Sequence, residues 1–108
     1  MESRDLFFLK CCFDRDKSCS PFLVGPYGNL KDAKARATWF QNQASPRKIL
    51  GVKTLSSEKL SGDHYLINGT RLFNMSHLPK VRWDGSIEEG RAEMVFANDY
   101  FSSSGELV

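Results

Sequence analysis

The stretch Pro21–Gln43, PFLVGPYGNLKDAKARATWFQNQ, constrains the fold more than any other part of the chain. Phe22, Leu23 and Val24 form an apolar triplet with β-favouring members. Gly25-Pro26 predicts its end, because proline has no N–H to give a sheet ladder. Gly28 permits a positive φ in the turn that follows. Asn29 occupies a helix N-cap position, and Asp32, three residues on, offers an acceptor that can reach back. Leu30, Ala33, Ala37 and Phe40 then recur at spacings of three and four, which is one face of a helix. Lys31, Lys34, Thr38 and Gln41 fall on the wet side. Pro46 holds Ser45 away from helical angles, so the helix fades over 42–44.

A chain of 108 residues is read as one domain over 1–101, followed by a flexible tail at 102–108. Its net charge of +2 is too small to imply a polyanion partner by itself. The charge is unevenly spread: residues 1–60 are net basic and residues 61–108 net acidic. The cysteines, Cys11, Cys12 and Cys19, are odd in number, which predicts reduced thiols and a cytoplasmic setting. The apolar run Leu6–Leu9 is cut by Lys10 and is too short for a membrane span or a signal core, so no membrane association is expected.

In order along the chain, Asp5–Phe13 is mostly apolar with aromatic members, which predicts a strand buried on both faces. Lys48–Leu55 predicts another, with Gly51 as a bulge position, and Ser56–Gly62 a polar connection. HYLI, Asn68-Gly69 and TRLF predict a two-residue hairpin with Ile67 opposite Thr70 and Tyr65 opposite Leu72. Pro79–Trp83 reads as a short strand. Ser86 with Glu89 then makes a capping box, which predicts a second helix from about Ile87 to Ala97. Gly85-Ser86-Ile87 aligns with Gly28-Asn29-Leu30, so the second half echoes the first. Gly90 opposes that helix, and 91–96 is equally open to a strand reading.

Candidate chemistry is sparse. The three cysteines and two histidines match no metal-ligand spacing, and no cofactor is called for. Cys11 and Cys12 read as small hydrophobes, and Cys19 as the plausible reactive thiol, paired with His64 or His77 in an enzyme reading. Glu88 and Glu89 are explained by first-turn helix electrostatics. GPYG lacks the lysine and spacing of a phosphate loop. The richest feature is basic and aromatic: Lys31, Lys34, Arg36, Arg47, Lys48 and Lys53 stand against the single acid Asp32, interleaved with Tyr27 and Trp39. A solvated helix face accounts for such a segment, and so does a contact surface for phosphates, bases or an acidic protein.

FLVGPYGNLKDAKARATWF resembles the strand–GPF–helix segment of SPOR domains, on Val24-Gly25-Pro26-Tyr27 and the helix after them. That resemblance implies a ferredoxin-like, βαβ-type layout and, for the family, peptidoglycan binding. The expected fold is α+β, an antiparallel or mixed sheet of about four or five strands with two helices packed on it. The expected function is a small stand-alone binding module that docks on another protein as a regulator or inhibitor, in the manner of host-targeting proteins of bacteriophages. Its contact residues are Tyr27, Lys31, Lys34, Arg36, Trp39, Arg47 and Lys48. The alternatives are a nucleic-acid-binding module using the basic helix 30–43, and a small enzyme with a Cys19/His64 centre.

Overall fold

The computed structural model of this chain describes residues 2–13, 20–44 and 47–101. The elements are β1 (Ser3–Phe13), β2 (Phe22–Tyr27), α1 (Leu30–Gln41), β3 (Arg47–Ser61), β4 (His64–Ile67), β5 (Arg71–Asn74), a 3-10 turn at Met75–His77, and β6 (Met94–Ala97). The strands form one antiparallel sheet in the order β5-β4-β3-β1-β2-β6, curled into a half-barrel. This corrects the two-helix ferredoxin-like expectation: α1 is the single α-helix among the described residues.

β1 alternates so that Leu6 and Phe8 face one side and Leu9 and Cys11 the other, as a strand period of two requires. The Leu6 side, the inside of the curl, gathers Leu23, Leu55, Tyr65, Ile67, Phe73, Phe96 and Phe101. The Leu9 side packs Cys11, Val24 and Tyr27 against Ala33 and Phe40 of α1. β2 and β3 both run antiparallel to β1 and flank it. They are therefore parallel to each other, and α1 makes the crossover between them over one face. Asn29 caps α1 with its side chain, accepting from the Asp32 N–H at 2.8 Å.

Several local expectations change. β2 does not stop at Gly25-Pro26 but continues to Tyr27. The β1–β2 ladder shifts register between Phe7 and Leu9, so Pro26 falls in an irregularity where its missing N–H breaks no bond. β3 runs through the polar segment 56–61, because Ser57 is buried and donates its hydroxyl to the Arg4 carbonyl at 2.7 Å. The hairpin turn has positive φ at Asn68 and Gly69, but Ile67 pairs with Arg71, leaving a three-residue loop. That one-residue shift places Phe73 opposite Tyr65, on the same face as Ile67, and turns Leu72 outward.

The second helix does not form. The Ser86 N–H and hydroxyl both bond the Asp84 carboxylate, at 2.9 and 2.7 Å, so Ser86 is not free to cap a helix. Gly90 has φ +84°, outside helical space. Residues 80–88 make a tight turn closed by a Val81–Ile87 bridge, and the chain re-enters the sheet as β6.

The curl brings the two sheet edges together. Arg71 on β5 stacks over Phe96 on β6 at 5.2 Å and donates to the Tyr100 hydroxyl at 3.2 Å. The Asn68 amide donates to the Phe101 carbonyl at 2.9 Å.

Candidate functional site

Ala33, Arg36, Ala37 and Phe40 lie at helical spacing on the face of α1 that meets the sheet and the 80–90 turn. An arginine in that stripe must find an acid or remain an unpaired buried charge. Arg36 is 4% exposed, and its fork meets Glu93 twice, Nη2 to Oε1 at 2.7 Å and Nε to Oε2 at 3.2 Å. Its remaining terminal nitrogen, Nη1, donates to the Gly85 carbonyl at 2.5 Å. The guanidinium lies against the rings of Trp39, at 4.3 Å, and Phe40, at 4.5 Å. The buried Tyr27 hydroxyl donates to the same Glu93 carboxylate. Burial, and then the Glu93 charge, push the Tyr27 hydroxyl well above its ordinary range, so it stays a donor.

This cluster fastens the 82–86 turn onto α1. Gly85 lies so close to the helix that a Cβ there would sit 2.6 Å from the Ala35 carbonyl oxygen, at a φ of +89°. The Asp84–Ser86 bonds and the Gly85 N–H to Arg82 carbonyl bond at 2.9 Å brace the turn from within. Trp83 projects from it, 95% exposed. Beside Trp83 is a hollow of about 240 Å³ lined by Lys31, Asp32, Ala35, Val81 and Arg82. Burial raises the Asp32 carboxyl above its ordinary value, against the pull of Lys31.

Of the expected contact residues, Lys31, Lys34 and Lys48 are exposed, and Trp39 and Arg47 are half-buried. Tyr27 and Arg36 are buried, so neither is available to a partner; they hold the turn instead. Arg47 stacks over Phe40 at 4.2 Å, and with Lys48 it begins β3, away from the Trp83 turn. Lys31 is therefore the member of the set that lines the hollow beside Trp83, and Lys34 follows it on the exposed side of α1. Trp83 itself was not among the expected residues. The available signal was an aromatic directly before Asp-Gly and after two cations, Lys80-Val81-Arg82-Trp83.

The alternative Cys19/His64 centre falls partly outside what is described. Cys19 lies outside the described residues, and His64 and His77 are exposed at the start of β4 and in the 3-10 turn. Cys11 is a free buried thiol, pushed up to about 11 by burial, which keeps it protonated and unreactive at neutral pH. Cys12 is disulfide-bonded, which corrects the expectation of three reduced thiols and removes that argument for a cytoplasmic setting. Among the described residues no group of His, Cys, Asp and Glu could hold a metal ion. No described helix is long and apolar enough to cross a membrane. Comparison with protein-family models, with curated proteins and with solved structures finds no match.

Proposed function

We propose that this chain is a binding module that docks a protein partner through the Trp83 turn and the polar side of α1. The observation behind the proposal is a fully presented tryptophan on a turn that a buried ion pair and a glycine contact hold rigid. An exposed indole is unfavourable to hydration, and a braced one loses little entropy on binding, which is the profile of an interface anchor. Lys31, Asp32 and Arg82 line the hollow beside it, and Lys80, Asp84, Glu88 and Glu89 belong to the same 80–89 segment. Mixed signs of this kind suit a protein surface of complementary pattern better than the uniform charge of a nucleic-acid backbone. Docking that covers a partner's surface regulates or inhibits it without chemistry.

Trp83→Ala and the double variant Lys31→Glu, Lys34→Glu test the reading, with quantitative capture of a partner by each and by the parent chain. Both should stay folded, because these positions lie off the core. Each should weaken the same protein's binding about tenfold or more, roughly 1.4 kcal/mol. Equal capture by all three would show that the face is only wet surface. Binding that instead tracks single-stranded nucleic acid, falling steeply with salt, would establish the nucleic-acid reading in its place.

A further inference from the structure

β3 is fifteen residues long. β1 pairs with it from Arg47 to Glu58, but β4 covers its other edge only from Ser57 to Ser61. Among the described residues no strand pairs with that edge between 47 and 56. Two hydrogen bonds fix which backbone groups face it. The Lys59 N–H donates to the Glu2 carbonyl at 2.9 Å, toward β1. The Ser56 carbonyl accepts from the Asn68 N–H at 2.8 Å, on the opposite side. Backbone groups alternate sides along a strand, so Thr54 and Val52 direct both their N–H and C=O groups to the uncovered edge. A row of such groups is a template for another strand.

The side chains along this edge are apolar and basic. Val52 is 41% exposed and Leu50, the bulged residue of this ladder, is similar. Lys53 pairs with Phe8, Lys48 with Cys12, and Lys10 with Gly51. Positions 8, 10 and 12 of β1 share a face, so the three lysines share it too. No acid occurs between Arg47 and Ser57, and none of these lysines is ion-paired among the described residues. A cavity of about 410 Å³ lined by Lys10, Val52, Lys53 and Asn98 opens beside the edge.

We propose that the edge of β3 at Lys48–Thr54 takes an extended acidic segment of a partner protein as an added strand. Main-chain bonds from Val52 and Thr54 supply the pairing. Alternate acidic side chains of the incoming strand reach Lys53, Lys10 and Lys48 on one face, and its apolar residues meet Val52 on the other. The surface is separate from the Trp83 turn and does not depend on it.

The test titrates a synthetic peptide alternating glutamate with valine into the uniformly ¹⁵N-labelled full chain. The Val52 and Thr54 amides should shift and become protected from hydrogen exchange. Lys48→Glu with Lys53→Glu should weaken binding about tenfold or more. Thr54→Pro removes an outward N–H while leaving the β1 ladder, and should abolish binding. A second arm needs no variant: the same peptide with alternate amides methylated keeps its charge, loses its donors and should not bind. The Trp83→Ala chain should bind the peptide as the parent does. Absence of peptide binding, equal binding of the methylated peptide, or bound peptide without protection at 52 and 54 would overturn the proposal. So would concentration-dependent dimerisation that protects the same two amides, which would make a second copy the occupant.

Discussion

Arg36→Met removes the guanidinium that joins α1, Glu93 and the 82–86 turn. It leaves a carboxylate whose side chain is 16% exposed, and it leaves the Gly85 carbonyl without its 2.5 Å donor. Breaking a buried pair by deleting one partner costs about 3–5 kcal/mol, most of it the desolvated charge left behind. At roughly 4 °C per kcal/mol for a domain of this size, the melting temperature should fall by roughly 12–20 °C. Adding Glu93→Leu removes the stranded charge, and the double variant should recover most of the loss. The turn has its own readout. In a Trp39→Phe background Trp83 is the remaining tryptophan, and its fluorescence anisotropy should drop when Arg36 is replaced. Urea unfolding gives the stabilities. A loss below about 1 kcal/mol, or an unchanged anisotropy, would refute the clamp described here.

Two further predictions follow from register and burial. Phe73→Ala should cost about 3–5 kcal/mol and Leu72→Ala, 56% exposed, less than about 1 kcal/mol; the reverse order in denaturant titration would mean the hairpin closes in the two-residue register. Cys11 and Tyr27 both have raised values in the folded state, while the unfolded chain ionises at the ordinary ones. Stability should therefore hold below pH 9.0 and decline as pH rises toward about 11, and Cys11→Ser should make that decline shallower; a urea midpoint flat across this range would contradict the burial of both groups.

What was legible in the sequence was local. A mostly apolar run with aromatic members marked β1, the cap and stripe marked α1, and Asn-Gly marked the hairpin. What failed had a physical competitor near at hand. Asp84 captures Ser86 before Glu89 can, and Gly90 adopts a conformation that a helix forbids. Leu30, read as the start of the apolar stripe, is largely exposed, and the stripe begins a turn later at Ala33. Arg36 belongs to that stripe by spacing, but its charge suggests the wet side. Its partner Glu93 lies fifty-seven residues away, so no window of sequence contains both. The segment 56–61 reads as a connection because half of its side chains face water, although its backbone completes a ladder.

The meeting of the sheet edges has a consequence for how the protein is made. Arg71 and Asn68 find their partners at Phe96, Tyr100 and Phe101, and the Phe96 and Phe101 rings also pack on Phe8. The first and last strands among the described residues, β1 and β6, therefore line one interior. During synthesis, at roughly 5–20 residues per second, β1 leaves the ribosome several seconds before the rings that cover it. Until residue 101 has emerged, Leu6 and Phe8 lie on an open trough. The half-barrel closes only after translation of its last element, and the nascent chain displays its most apolar surface for that whole interval.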